Sequence, residues 1–398
     1  MTDPVSIILF SAFGIGGLLG FVIAYSGFCT FGAMADWVSF GDRGRMGAWL
    51  LAMATAISGV LILSIVRKID IEPSVIPYTS ANFNPLRYAL GGLLFGVGMH
   101  LAGGCSSKIL VRLGGGSLKA GLICCVAAII SFALLYTTTF EKLIYPIISP
   151  FNLQLDAYGI RSQRLDVLLS HFLDVEIDNT FVFFIMALVV SGCSLTSIKQ
   201  SARRRLLVSG LAVGGLVVLG WWITAGPLGA AWVEHLSFQW QPPRSLGAQS
   251  LTFISPLGDA AAYLIKPNRA HYLTFGLCAA VGLVFGSFVY HLCGRQLRLE
   301  RPTSFGDVTR NVTAGLLLGV GGILALGCSI GQGVTGISTL ALGSLLATAS
   351  MCLGAGLAVK TEYYLLIYPN EASIVSAFFT SLVDFRLLPP ACRRHEKA

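Results

Sequence analysis

The sequence predicts an all-α protein that crosses a membrane several times. Hydrophobic residues make up 55% of its 398 positions and charged residues only 12%, and the mean hydropathy is +0.75. Apolar runs of the length that a helix needs to cross a bilayer, about 20 residues, recur along the whole chain. The 46 glycines and the lack of long alternating strands favour packed helices over a barrel. We therefore expect a polytopic helical bundle.

The apolar runs define the expected spans in chain order. Five of them carry no charge, at residues 4–35, 46–66, 120–140, 206–233 and 312–359. Residues 180–198 are borderline in length, and residues 270–292 form a span with a histidine near each end. The longest run has room for two spans and a turn. After the first span, residues 27–37 are too short to cross, so we expect a half-depth helix that turns back.

A fifteen-residue stretch occurs twice, at residues 92–106 and 315–329. Eleven of the fifteen aligned positions are identical, which indicates an internal duplication. Both copies close on the same three residues, Gly104-Cys105-Ser106 and Gly327-Cys328-Ser329. The glycine pair before Cys105 stops the helical run of the first copy. We expect one transport domain over residues 1–398, with halves at about 1–140 and 206–360, a connection at 141–205 and a C-terminal segment with a basic tail at 361–398.

The net charge of +8 reflects membrane topology and not nucleic-acid binding, because the basic residues lie in short loops. These residues are Lys199, Arg203, Arg204 and Arg205, the net positive segment 295–310, and Arg393, Arg394 and Lys397. Residues 141–178 carry six acids against three bases. Short basic loops mark the cytoplasmic side, so we expect the basic loops and the tail inside and segment 141–178 outside. This orientation inverts the two halves, as in transporters whose substrate site lies near the midplane of the bilayer.

The Gly-Cys-Ser breaks suit a small sulfur anion. Exposed backbone N–H groups at a broken helix can hold an anion, and a thiol adds a soft, weakly donating S–H. Cys29, between Gly27 and Gly32, is a third cysteine beside glycines. The expected substrate-binding residues are Cys29, Cys105, Cys328, Gly104, Ser106, Gly327 and Ser329, supported by Gly27, Gly32, Asp36 and Lys108. Asp36 and Lys108 are candidate coupling or gating charges.

Other readings of the cysteines stay open. A membrane thiol-disulfide oxidoreductase would need a reactive, exposed dithiol, and the chain has no Cys-x-x-Cys. A soft-metal transporter would need further ligands, and His100 is replaced by Ile323 in the second repeat copy. Nucleotide and zinc motifs are absent from the sequence. We expect a transporter and not an enzyme, without a catalytic residue, metal or cofactor. Packing alone would explain the remaining cysteines.

Gly27-Phe28-Cys29, followed by Gly32-Ala33, together with the two Gly-Cys-Ser breaks resembles the YeeE/YedE family of sulfur-transport proteins, whose best understood member takes up thiosulfate. The resemblance runs from about residue 14 to residue 359. It implies an inverted-repeat fold shaped like an hourglass, with short helices entering from both sides to meet at the centre. It also implies that Cys29, Cys105 and Cys328 pass the ion along by transient S–H contacts.

The same resemblance implies a bacterial inner-membrane permease for thiosulfate or a related anion, a selenium compound included. A sulfur-carrier protein of the TusA type is the implied partner at the cytoplasmic face. Two features depart from the family: the external segments 141–178 and 225–269 are long, and no motif covers the chain after residue 360. In the second half, Pro227 stands where the first half has Cys29.

Overall fold

The computed structural model describes residues 4–67, 69, 71, 74–175, 177–198, 204–237, 242–267, 270–369 and 371–394. Its helices are α1 Pro4–Ser26, α2 Thr30–Phe40, α3 Gly44–Arg67, α4 Pro85–Ala102, α5 Ser106–Gly114, α6 Leu118–Tyr136, α7 Tyr145–Ile148, α8 Leu165–Leu173, α9 Asn179–Ile198, α10 Arg204–Ala225, α11 Pro227–Ser237, α12 Ser255–Ile265, α13 Phe275–Cys293, α14 Phe305–Leu324, α15 Leu342–Ile367 and α16 Ile374–Asp384. The strands β1 Asn82–Phe83 and β2 Leu153–Gln154 form a two-residue antiparallel pair. Lys199, Arg203 and Lys397, named above as topology markers, lie outside the described residues.

The multi-pass helical architecture is confirmed. Within the described residues, eight stretches are long and apolar enough to cross a membrane: Pro4–Phe40, Gly44–Val66, Pro85–Gly114, Leu118–Tyr136, Asn179–Ile198, Arg204–Ala225, Phe275–Cys293 and Leu342–Ile367. Helix α14 has 20 residues as well, with Asp307 and Arg310 in its first turns. The first span ends at Ser26 as predicted, and the segment after it forms the 11-residue helix α2, whose depth in the membrane stays a prediction.

One of the charge-free runs contains a helix break. Residues 206–233 span two helices, because α10 ends at Ala225 and α11 begins at Pro227. Proline lacks the N–H that a continuing helix needs and clashes with the preceding turn, whereas it fits the first position of a new helix. The break lies at the proline that the sequence comparison of the two halves places opposite Cys29.

Close helix pairs surround the broken segments. Helix α1 packs along α13, α3 packs against α9 and α10, and α4 lies between α14 and α15. Glycines sit at these crossings, where backbones approach too closely for a larger side chain. The result is a tightly packed bundle whose interior holds the ends of the short helices.

The segment after residue 360 is tied to the bundle. Helix α15 continues to Ile367, and α16 packs back against it. The Tyr364 hydroxyl donates to Asp384 at 2.6 Å, and Arg393 pairs with the same carboxylate at 2.6 Å. The basic tail therefore begins from an anchored element.

Candidate substrate path

Cys29 and Cys105 lie side by side at the starts of two short helices. Each is the N-cap residue of its helix, Cys29 of α2 and Cys105 of α5. Their sulfur atoms are 3.9 Å apart. Both side chains are buried, with exposed fractions of 8% and 0%. A turn with positive φ precedes each cysteine, at Gly27 (φ 71°) and Gly103 (φ 68°). A residue with a side chain rarely adopts this backbone conformation, so these glycines allow the two breaks.

Hydrogen bonds orient the two thiols. The Cys29 sulfur accepts from the Gly32 N–H at 3.4 Å. The Cys105 sulfur lies 3.2 Å from the Ser107 hydroxyl. The N-terminal end of a helix carries a partial positive charge and unpaired N–H groups. Two such ends and two soft thiols thus meet at one point, which suits an anion that presents a sulfur atom.

The helix that carries Cys105 is held at its far end. Arg112 donates to the Ala102 carbonyl at 3.0 Å and pairs with Glu300 at 3.3 Å. The Ser117 hydroxyl also donates to Glu300, at 2.7 Å. This hydrogen bond, with Arg112 beside it, lowers the pKa of the Glu300 carboxyl below its ordinary value. The loop 295–310 therefore fixes the direction in which α5 points.

Cys328 lies on a separate segment of irregular backbone. Helix α14 ends at Leu324, Leu326 takes a left-handed conformation (φ 60°), and a π-helix follows at Gly331–Gly336. The Cys328 sulfur accepts from the Gly331 N–H at 3.3 Å. It is fully buried. Leu326 is left-handed although it is not glycine, which is a strained state that the surroundings must hold.

Two residues that sequence reasoning missed support this segment. The Gln332 side chain donates to the Ala325 carbonyl at 2.6 Å, and its backbone N–H donates to the Cys328 carbonyl at 2.7 Å. The Tyr78 hydroxyl donates to the Gly331 carbonyl at 2.7 Å. Gln332 is the one amide side chain in the charge-free run 312–359. Its isolation there could have identified it from the sequence as a candidate functional residue. Nothing in the sequence linked Tyr78 to Cys328.

The structure brings two of the three cysteines together. Within the described residues, no hydrogen bond joins Cys328 to Cys29 or Cys105. That all three line one path stays a prediction. Among the residues that the structure describes, the hydroxyls of Ser106 and Ser329 are buried without a hydrogen-bond partner. Both are therefore available to a ligand beside their cysteines.

The remaining predicted site residues take supporting positions. Gly104 faces Lys108, because a methyl group added at Gly104 would lie 3.2 Å from the Lys108 Cγ. Gly327 faces Gln332 in the same manner, at 3.3 Å. Asp36 pairs with Arg45 at 3.3 Å, so its charge has a structural partner.

The other cysteines and His100 lie elsewhere. All ten cysteines are free thiols. A third Gly-Cys-Ser, at residues 192–194, lies within the unbroken helix α9, and its cysteine, Cys193, is exposed. His100 contacts Glu362 at 2.9 Å. In the described part of the chain, no three or more His, Cys, Asp or Glu side chains are grouped closely enough to hold a metal ion.

Comparison with known proteins covers most of the chain. The profile of the Sulphur transport family matches residues 25–357. The thiosulfate transporter TsuA of Escherichia coli K12 is 24% identical over 327 residues, which cover 80% of this chain and 84% of the relative. The thiosulfate transporter TsuA of Spirochaeta thermophila is 23% identical over 367 residues, 85% of this chain and 94% of the relative. The matched region contains the cysteine pair and the Cys328 segment, and the chain belongs to the Sulphur transport family.

Proposed function

We propose that this protein takes up thiosulfate, or a closely related small sulfur anion, across a bacterial inner membrane. One observation carries the proposal: the Cys29 and Cys105 sulfurs lie 3.9 Å apart between the N-terminal ends of α2 and α5. The family and the names of the two relatives support the same substrate class.

The thiols act as a relay for the sulfur end of the ion. Cys328 meets the anion on one side of the bundle, and the Cys105–Cys29 pair meets it on the other. A neutral thiol donates weakly to a soft sulfur atom, so each contact is short-lived and no lasting covalent bond is needed. Ser106 and Ser329, whose hydroxyls are buried and unpaired within the described residues, donate to the oxygen atoms.

The two halves are proposed to be related by an inverted repeat. The helix contacts of one half have counterparts in the other. The pair α1 and α13 corresponds to the pair α10 and α3, and the pair α4 and α15 corresponds to the pair α14 and α6. Helix α12 corresponds to α2 in the same way, because α12 contacts α6 and α13 whereas α2 contacts their counterparts, α15 and α3. On this correspondence the counterpart of Cys29 is Ile254, the residue before α12, and not Pro227. Helix α11 is then an insertion of the second half.

Charge supports the orientation. Loop 295–310 and the residues Arg393 and Arg394 form the cytoplasmic side, and segment 141–178 lies outside. A carrier protein of the TusA type would receive the ion at the cytoplasmic face, where basic residues such as Arg43 and Arg112 lie near the ends of α2 and α5. Co-purification of such a carrier with the wild-type protein, weakened by Arg43→Glu, tests that partner.

Uptake of radiolabelled thiosulfate into membrane vesicles tests the function. We expect Cys105→Ala and Cys328→Ala to abolish uptake while the protein still inserts at wild-type levels. Cys278→Ala is the matched control, because this thiol lies within the unbroken helix α13, and it should transport normally. Sulfate, sulfite and selenite are the competitors that define the substrate. Normal uptake by both cysteine variants would refute the relay, and loss of uptake in the control would indicate a distributed role for thiols.

A further inference from the structure

A cavity lies beside the Cys328 segment and is lined by two arginines. It has a volume of about 190 Å³, and its wall includes Arg87, Arg244 and Thr252. Ile323 and Leu326, which come just before Gly327-Cys328, form another part of the wall. A water molecule's share of the liquid is about 30 Å³, so this volume has room for a small hydrated anion. We call it the arginine cavity.

Arg87 keeps donor capacity for a ligand. Its Nε donates to the Leu324 carbonyl at 2.9 Å, and its Nη2 donates to the Ile323 carbonyl at 3.2 Å. These bonds hold the guanidinium in place at the end of α14. Among the described residues its Nη1 has no hydrogen-bond partner, and a guanidinium N–H group always remains a donor.

Arg244 is the more exposed of the two arginines and lies over the ring of Tyr136, with 5.8 Å from its Cζ to the ring centroid. The Tyr136 hydroxyl donates to Asp259 at 2.6 Å, and the Thr274 hydroxyl donates to the other oxygen of that carboxylate at 2.9 Å. Both carboxylate oxygens are therefore occupied by neutral donors. Two arginines against one such carboxylate leave the cavity with a positive charge.

Thr252 connects the arginine cavity to the cysteine. Its exposed fraction is only 7%. Its hydroxyl has no hydrogen-bond partner in the described part of the chain. An unpaired buried hydroxyl is costly. A methyl group added at Gly331 would lie 2.6 Å from this hydroxyl oxygen, and the Gly331 N–H donates to the Cys328 sulfur. Gly331 thus lies between Thr252, in the cavity wall, and the thiol of Cys328.

We propose that the arginine cavity is a second anion site, which binds the oxygen end of a doubly charged tetrahedral oxyanion through Arg87, Arg244 and Thr252. Guanidinium groups recognise oxyanion oxygens by charge-assisted hydrogen bonds. Sulfate and thiosulfate share these oxygens, so the site accepts both. Discrimination between them falls to the thiol of Cys328, which meets the sulfur end. This last step rests on the proposed function, whereas anion binding in the arginine cavity does not.

Equilibrium binding of sulfate and of thiosulfate to the purified full chain tests the proposal without transport. We expect Cys328→Ala to keep sulfate binding and Arg244→Gln to weaken the binding of both anions by about tenfold or more, the scale of one lost charge-assisted contact. Arg244→Lys should weaken the binding of both anions less than Arg244→Gln does. Thr252→Val, which keeps the shape and removes the hydroxyl, should weaken both anions to a smaller extent.

Arg161→Gln is the control, because Arg161 is an exposed arginine that lines a different cavity. Unchanged binding by Arg244→Gln, or equal weakening by Arg161→Gln, would overturn the site. In vesicles, sulfate should compete with thiosulfate uptake by the wild type and compete less with uptake by Arg244→Gln. Normal uptake by Cys328→Ala would refute the cysteine relay alone, and the sulfate-binding comparison would still decide the arginine cavity.

Discussion

Cys29 and Cys105 are 76 residues apart in the chain, and yet their sulfur atoms are in contact. Each cysteine caps a short helix, and each break depends on a glycine with positive φ. Cys328 occupies a different kind of break, in which Leu326 takes the left-handed conformation and a buried amide holds the following turn. The two Gly-Cys-Ser copies are thus similar in sequence and differ in their local support.

Oxidation should link the paired thiols. Diamide takes up two hydrogen atoms and joins two thiols as a disulfide, whose sulfurs lie about 2.05 Å apart. The Cys29 and Cys105 sulfurs, at 3.9 Å, need to approach by about 2 Å. We expect peptide mapping of the treated protein to find Cys29 joined to Cys105, with uptake lost and then restored by dithiothreitol. A link from Cys29 to Cys328, with none to Cys105, would contradict the arrangement.

Gln332 should be required for the shape of the Cys328 segment. Gln332→Met keeps the volume and removes the donor to the Ala325 carbonyl. A buried carbonyl left without its donor costs about 1–3 kcal/mol, so we expect thiosulfate uptake to fall several-fold while membrane insertion persists. Gln296→Met, at an exposed position, is the control and should transport normally. Equal uptake by the two variants would show that the amide is dispensable.

At the scale of elements, close packing of helices determines where the breaks lie. Glycines of α1 and α13 face the partner helix's backbone reciprocally: Gly16 faces Ala279, Gly20 faces Leu283, Gly282 faces Phe13 and Gly286 faces Gly17. In a bilayer, helix association depends on van der Waals packing and not on burial from water. Small residues at the crossing therefore allow the close backbone contact between these two helices.

A bulky residue at this crossing should separate the helices. Gly16→Leu places its Cβ against the Ala279 carbonyl, which is backbone and cannot move aside. Overpacking of this kind costs about 1–3 kcal/mol or more. We expect a lower melting temperature and less monodisperse protein in detergent. Gly14→Leu is the matched control on the same helix, since a Cβ there meets nothing within 4 Å. Comparable melting temperatures for both variants would argue against a tight crossing.

At the scale of the whole molecule, charge placement predicts the orientation of the bundle in the membrane. Loop 295–310 connects α13 to α14 and holds the far end of α5 through Glu300, Arg112 and Ser117. The acidic segment 141–178 forms short helical pieces and meets the loop before α4 through β1 and β2. The arginine cavity opens near the start of α4, and the cysteine pair lies near its end. An anion that travels along α4 would meet the arginines first and the paired thiols last.

Labelling with a membrane-impermeant maleimide tests this direction. Cys293 is exposed at the end of α13, beside the basic loop, and Asn152 is exposed in segment 141–178. In a background without the other exposed cysteines, we expect Cys293 to react in inverted vesicles and not in intact spheroplasts. Asn152→Cys, with Cys293→Ala, should show the opposite pattern. Reaction of both positions from the same side would refute the proposed topology.

The sequence by itself determined the fold class and the positions of the apolar runs. Composition indicates that the protein lies in a membrane, and apolar runs indicate where helices cross. The two copies of the fifteen-residue repeat coincide with helix breaks. These features are local properties of the chain. Hydropathy alone does not mark the end of α10 at Ala225, whereas Pro227, which cannot continue a helix, does mark it. Local patterns therefore predicted most of the elements and fewer of their boundaries.

Only the tertiary structure decided which of the three cysteines meet and what supports them. The contact between Cys29 and Cys105 arises because α2 and α5 converge from different parts of the chain, and the bond from Tyr78 to Gly331 spans 253 residues. The arginine cavity likewise joins Arg87 of α4 with Arg244 of a distant loop. Such contacts depend on helix packing, which fixes positions in space that spacing along one sequence does not contain.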